Sequence, residues 1–404
     1  MTALTTGTRE VRRQLSGVRV SDLLNLCGAG AAAVALTALL SSQLAPITSP
    51  LGFVAVAAVL FLVLYALLVS LTERGVAVRD RLVTVVVHGL AFTVLAVLAF
   101  IVVFTFARGA KALPHLNFFT QDMAKAGPLD PLEMGGIAHA IVGTLIQISI
   151  ALVITIPLGL LTAVFLTEVP GRLARLVRTI VEAMTALPSI VAGLFIYATL
   201  VLALGVPKSG LAAATAISIM MLPIMVRSSD VVLRLVPGTL KEASYALGAG
   251  QFRTVWQVVL PTARSGLTTA IILATARGIG ETSPVLLTSG FTAAMNSDPT
   301  SGPMVSLPLA IFQFVKSPEP TMVARGFGTA AVLMLLVLTL FVIARVVGGS
   351  SPLKKDARHR ARQARKAQRA QRHRPRRRTK RPSSAPQGLP QASNLPEALP
   401  QEQS

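Results

Sequence analysis

The sequence predicts an all-α fold, a polytopic transmembrane helical bundle. Three observations carry that prediction. Of the 404 residues, 52% are hydrophobic and only 14% charged, the mean hydropathy is +0.66, and the apolar residues gather into runs of roughly twenty, long enough for a helix to cross the hydrocarbon layer. In lipid every backbone amide and carbonyl must be satisfied within the protein, which leaves helices or closed barrels. These runs lack the two-residue alternation of barrel strands.

Taken in order, the spans fall near residues 23–45, 51–71, 82–106, 138–166, 176–204, 209–226, 266–290 and 325–347. The first two follow a short N-terminal segment, 1–22, and make a hairpin around Pro46 and Pro50. A charged segment, Thr72 to Arg81, sets the hairpin (23–71) off from the rest, so it reads either as an accessory module or as part of one bundle. Cys27, the only cysteine, excludes an intrachain disulfide, and Leu26 before it argues against lipoprotein processing. Arg12-Arg13 reads as a topology charge. Pro157 and Pro188 each remove a helical hydrogen bond and predict kinks in the fourth and fifth spans. In the loop 291–324, Leu307, Ile311, Phe314 and Val315 are spaced for a short interfacial helix.

Lys and Arg gather at the N-terminus (Arg9, Arg12, Arg13, Arg19), at 72–81, at 167–175 and at 227–265. The intervening loops carry fewer. Both termini are therefore expected in the cytoplasm of a cell-membrane protein. The net charge of +21 is uneven: residues 351–404 hold 15 of the 38 Lys and Arg against three acids, a net charge of +12. This low-complexity basic tail cannot bury a core and is expected to be disordered. Membrane lipid, anionic lipid in particular, is the nearer partner for it than nucleic acid.

One polar stretch interrupts the apolar runs: KEASYALGAGQFRTVWQVVLP, Lys241 to Pro261. Thr239 and Glu242 have the spacing of a capping box. A helix is expected to run to Leu247 and to end on a left-handed Gly248, and a second helical piece to close at Pro261, exposing Phe252, Val255 and Trp256.

Charges inside an apolar run cost about 2.5–3.5 kcal/mol each on insertion scales, so they mark function. Arg277 and Glu281 lie near the middle of the run from Gly266 to Gly290, four apart, with Thr282 and Ser283 beside them. Both side chains therefore project from one helical face and can pair, leaving Arg277 a donor fork for a tetrahedral oxyanion. Arg227, closing the sixth span, is an orientation signal or a second anion contact. Arg178 and Glu182, also four apart, read as an interfacial ion pair. Enzymatic readings find no support. There is no G-x-x-x-x-G-K-[ST] loop, no H-E-x-x-H or other metal-ligand cluster among the five histidines, and no G-x-S-x-G elbow. Any energy source must come from a partner.

The polar stretch then gains meaning. Glu242, Ala243, Ser244, Gly248, Val258, Leu260 and Pro261 resemble the EAA loop of ABC importer permeases, with Ser in place of the second Ala and Val in place of the usual Ile. ALPSIVAGLFIY (Ala186 to Tyr197), LPIMVRSSDVVLRLVPGTLKEASYALGA (Leu222 to Ala249), ATARGIGETSPVLLTSG (Ala274 to Gly290) and LPLAIFQFVKSP (Leu307 to Pro318) are similar to phosphate permeases of the PstA type. The resemblance covers roughly 82–348 and implies a six-span MetI-like, type I importer core with its coupling loop at 237–265. It implies docking through Glu242, Ala243, Ser244, Gly248, Leu260 and Pro261, and a phosphate path that includes Arg227, Arg277, Glu281 and Thr282. It further implies a sister permease of the PstC type, an ATPase homodimer of the PstB type, an extracytoplasmic phosphate-binding protein, and no cofactor on this chain, ATP being used by the ATPase. The hairpin and the tail fall outside the family pattern.

Overall fold

A computed structural model describes residues 20–43, 49–73 and 75–348. The expectations placed on residues 1–19, on Pro46 and on the basic tail lie outside the described residues. Among the described residues the chain is helical throughout, with fourteen α-helices, two π-helical turns and no strand. Those long and apolar enough to cross a membrane are α1 (Val20–Gln43), α2 (Pro50–Ser70), α3 (Val76–Gly109), α5 (Ala138–Glu168), α8 (Gly210–Arg234), α14 (Pro320–Gly348) and the run Gln251–Ile279. Seven spans are thus continuous, and a bent helix pair makes an eighth if taken as one.

That bent pair lies where the fifth span is expected, and the kink expected at Pro188 is a full break. Helix α6 (Arg172–Thr185) stops, and α7 (Ser189–Ile196) starts anew and runs on as a π-helical turn, Tyr197–Ala203. Pro188 stands at the break, where it lacks an amide and biases Leu187 away from helical angles. The seventh span is shifted as well. It begins at Gln251 and ends at Ile279, and a separate short helix, α12 (Ser283–Thr288), follows. The sixth runs on to Arg234, so Arg227 lies inside α8 and does not close it.

The chain divides into two compact units. Among the described residues, unit 1 comprises 20–43, 49–73, 75–150, 189–216 and 279–338. In it the α1–α2 hairpin buries Ala29, Tyr65 and Val69, with Val78 and Val85 of α3 packed against them. Arg81 of α3 reaches Asp22 of α1 at 2.5 Å and grips both oxygens of Glu73 at 2.6 and 2.8 Å. The hairpin therefore closes on α3. At the other end of α3, Gly109 meets Gly328 of α14 so closely that a Cβ would lie 2.8 Å from the Gly328 nitrogen. Such backbone-to-backbone contact admits only glycine.

Short helices α4 (Asn117–Thr120) and α13 (Leu307–Lys316) complete unit 1. Helix α13 forms where its spacing predicts, but Leu307, Leu309, Ala310 and Phe314 are buried and, of the apolar stripe, only Val315 is exposed. Its apolar stripe is core, a face closed by its neighbours: the Leu307 amide donates to Thr144 Oγ1 at 2.7 Å and Gln147 Nε2 to the Met304 carbonyl at 2.9 Å. Arg325, 1% exposed, donates through Nη2 to the carbonyls of Asp130, Pro131 and Met134 at 3.3, 2.7 and 2.7 Å. One guanidinium thus gathers a loop that has no regular structure of its own.

Asp122 fastens a second loop. Its carboxylate accepts from the Met295 amide at 2.9 Å and the Ala124 amide at 3.2 Å, which, with the Met295 bond foremost, holds its pKa below the ordinary value. A carboxyl with a lowered folded pKa contributes fully above its unfolded value, and the contribution is lost as pH falls through the lowered one. Protection of the Met295 amide against hydrogen exchange, corrected for intrinsic rate, should therefore stay constant from neutral pH down to about 4 and vanish below it. Asp122→Ala should lack that protection at every pH.

Among the described residues, unit 2 comprises 151–188, 217–278 and 339–348. Its core is built from Ala163 of α5, Leu233 of α8, Val236 just beyond it, and Val259, Ala263 and Leu267. A second cluster joins Leu166 of α5, Ala174 and Val181 of α6, and Val226 of α8. The polar stretch 237–265 lies wholly within this unit.

Candidate functional site

The polar stretch folds as α9 (Gly238–Ala246), a turn, α10 (Gln251–Thr254), a π-helical turn at Val255–Val259, and α11 (Leu260–Ile279). The predicted capping box does not form. Pro237 takes the N-cap position and no side chain caps the helix, because the helix starts two residues early and places Thr239 within its first turn. The C-terminus is as expected. Gly248 has φ +81°, its amide donates to the Tyr245 carbonyl at 2.9 Å, and the Ala249 amide donates to the Ser244 carbonyl at 3.1 Å. This is a Schellman arrangement, which a side chain with a Cβ would strain.

Pro261 does not end the second piece. The helix passes through it because the π turn just before changes the bonding register: the Leu260 amide reaches back five residues to the Val255 carbonyl. A proline that lacks an amide and crowds the carbonyl four residues earlier is tolerated where that register is already broken. Phe252 and Trp256 are exposed as predicted, by 81% and 62%, and stack with ring centroids 6.3 Å apart. Val255, expected beside them, is instead buried, since it projects from the opposite side of the same turn.

Polar links fasten α9. Lys241 Nζ lies 2.5 Å from Glu168 Oε1 at the end of α5, and Gln251 Nε2 donates to the Glu168 carbonyl at 2.9 Å. The hydroxyls of Ser244 and Thr254 are 2.8 Å apart across the turn. Glu242 and Ala243 sit mid-helix, and Leu260 and Pro261 open α11.

A cleft of about 300 Å³ lies in the same unit, lined by Arg178 and Glu182 of α6, Arg227, Asp230 and Arg234 of α8, and an apolar floor that includes Leu166 and Val226. Arg178 does not pair with Glu182. Its Nη2 reaches Asp230 Oδ2 at 3.7 Å, while Arg234 Nε donates to Asp230 Oδ1 at 3.0 Å and the Thr167 hydroxyl to the same oxygen at 3.1 Å. The neighbouring helix offers a carboxylate already oriented by two other donors, which the local four-residue spacing cannot reveal. Asp230 is a residue that sequence reasoning missed, and Arg234, four residues on, was the signal for it. Glu168 was also missed, and nothing local marks it.

Arg277 stands exposed in the last turn of α11, whereas Glu281 follows the helix end at Ile279 and is buried, 5% exposed. The continuous helix from Gly266 to Gly290 that would set them on one face is thus interrupted at Gly280–Thr282. Thr282 takes the N-cap position of α12, where its carbonyl accepts from the Leu286 amide at 2.9 Å. Among the described residues no group of three or more His, Cys, Asp or Glu could hold a metal ion.

The profile of the family described as binding-protein-dependent transport system inner membrane component matches residues 155–348. The phosphate transport system permease protein PstA 1 of Mycobacterium tuberculosis is 39% identical over 242 residues, 60% of this chain and 79% of that protein. The chain belongs to the PstA family of permeases. PstA of Mycobacterium leprae is 36% identical over 269 residues, 65% of this chain and 88% of its own length, and PstA of Pasteurella multocida 36% over 218 residues, 54% and 77%. An inward-facing structure of the MetNI methionine ABC transporter is similar at 20% identity and a TM-score of 0.41, over 53% of this chain and 93% of that one. As a PstA-family member this is a multi-pass membrane protein and a permease subunit, not an enzyme, in an importer whose ATPase and binding protein are separate. The family profile spans α6 through α14, including α9, Arg227, Arg277 and Glu281. The hairpin α1–α2 precedes it.

Proposed function

We propose that this chain moves inorganic phosphate into the cytoplasm, powered by ATP hydrolysis in a partner ATPase. The observation that carries the reading is the 39% identity over 242 residues to a phosphate permease. The motif order of the sequence agrees with it. The chain sits in the cell membrane with both termini cytoplasmic and binds no cofactor of its own. It works with a sister permease of the PstC type, an ATPase homodimer of the PstB type and an extracytoplasmic phosphate-binding protein. For its basic tail, membrane lipid, with anionic lipid in particular, is the nearer partner than nucleic acid.

Arg227 and Arg277 supply cationic donors to the substrate path, and Glu281 and Thr282 contribute an acid and a hydroxyl. A guanidinium suits a tetrahedral oxyanion because its planar fork can give two parallel charge-assisted hydrogen bonds. Glu242, Ala243, Ser244, Gly248, Leu260 and Pro261 belong to the segment that the ATPase grips. ATP-driven closure of the paired ATPases pushes on α9, and the spans alternate between outward and inward access.

The test is reconstitution of the complete transporter in proteoliposomes with labelled phosphate outside and ATP inside. Phosphate-loaded binding protein should stimulate ATP hydrolysis, and uptake should resist excess sulfate or molybdate. Uptake abolished by either competitor would replace phosphate with that oxyanion.

A further inference from the structure

We infer that Glu168 is the positioning residue through which displacement of α9 is delivered to the α5 span. The inference rests on the reading above, that α9 receives the push of the ATPase. Helix α9 buries none of its residues, and α10 buries only Thr254. Apolar packing therefore does not clamp this segment to the membrane body. Polar links do, and two of them converge on one residue. Lys241, before the Gly248 turn, meets the Glu168 carboxylate at 2.5 Å, and Gln251, after the turn, donates to the Glu168 carbonyl at 2.9 Å. The Ser244–Thr254 hydroxyl contact locks the two halves of the turn together. A push on α9 thus arrives at the last residue of α5 from both sides of the turn.

The choice of residue supports this role. A carboxylate at a helix C-terminus faces the negative end of the macrodipole, so Glu168 weakens α5 taken alone. Its side chain is 9% exposed and that of Lys241 20%, so the pair exchanges little with water and holds its geometry as only a shielded pair does. A residue that breaks a local rule and is compensated by a distant partner is the pattern of a functional constraint. The preceding residue extends the link. Thr167 donates to Asp230 of α8, which also holds Arg234 and, from α6, Arg178. Two consecutive residues, Thr167 and Glu168, therefore join α9 to α5, α8 and α6.

The experiment uses the complete reconstituted transporter and measures phosphate taken up per ATP hydrolysed. Glu168→Gln should leave ATPase association and binding-protein-stimulated hydrolysis unchanged while uptake per ATP falls about tenfold, within the usual range of a coupling free energy. Exchanging the charges, Glu168→Lys with Lys241→Glu, should restore most of it, because Gln251 binds the backbone carbonyl in either case. An unchanged ratio in Glu168→Gln, loss of ATPase association in that variant, or no recovery in the exchanged pair would each overturn the inference. A nitroxide on Leu161, exposed on α5, supplies a readout independent of cargo: its ATP-dependent spectral change should disappear in Glu168→Gln, and its persistence would overturn the inference. If the unaltered transporter hydrolyses ATP and moves the label yet takes up no phosphate, the cargo assignment fails and the role of Glu168 stands.

Discussion

Replacing Arg277 by Gln should abolish phosphate uptake while the transporter still assembles with its ATPase. The substitution keeps much of the side chain's length and its ability to donate hydrogen bonds, but it removes the permanent charge and the two-pronged donor fork. Losing one charged partner of a desolvated anion contact costs about 2–5 kcal/mol, and 3 kcal/mol in the middle of that range corresponds to roughly 100-fold in affinity. Arg277→Lys should fall between, since a lysine keeps the charge as a compact point but cannot offer the planar fork. Uptake of labelled phosphate separates the three proteins, and co-purification of the ATPase controls for assembly. Normal uptake in Arg277→Gln would remove this arginine from the path. Assembly should survive because Arg277 is exposed at the end of α11 and contributes nothing to the clusters around Leu233 and Val226.

Removing both aromatic rings that follow α9 should release the ATPase. Phe252 and Trp256 are one turn apart, largely exposed, and stacked on each other. Held against each other, they have little conformational freedom left to lose on binding. Buried aromatic anchors in interfaces are each worth about 2 kcal/mol or more, so Phe252→Ala with Trp256→Ala should weaken ATPase binding by about 100-fold or more. Val255, between them in sequence but buried, is untouched, so the membrane body should fold as before. Binding measured against detergent-solubilised permease, with thermal stability as the control, decides the matter. Unaltered affinity would take the two rings out of the docking surface and confine it to α9.

The spans were legible because hydropathy is a property of the local chain, and lipid enforces it residue by residue. The left-handed Gly248 was legible for a similar reason: only a residue without a Cβ suits that turn. What escaped the sequence depended on partners far away in the chain. Arg178 has an acid four residues on, yet it turns to Asp230, fifty-two residues away and already held by Arg234 and Thr167. The apolar stripe of α13 looked like a membrane-surface face until Thr144 and Gln147 were seen to bind the backbone at its start. Breaks were hardest where the composition stayed apolar. Pro188 marked its own break in the sequence, but the Gly280–Thr282 interruption sits in a run whose average hydropathy gives no sign of where the helix stops, and Pro261 was read as a stop when a π turn had already accommodated it.

Helix α9 contributes no buried residue, and that frees its sequence in evolution. Substitutions along its outer surface leave the interior of the permease untouched, so they can follow changes in the ATPase without compensating changes in the spans. Partner choice and membrane folding are then inherited almost independently. Residues 238–246 should be transplantable between related permeases, carrying ATPase preference with them, provided the recipient keeps an acid where Glu168 stands.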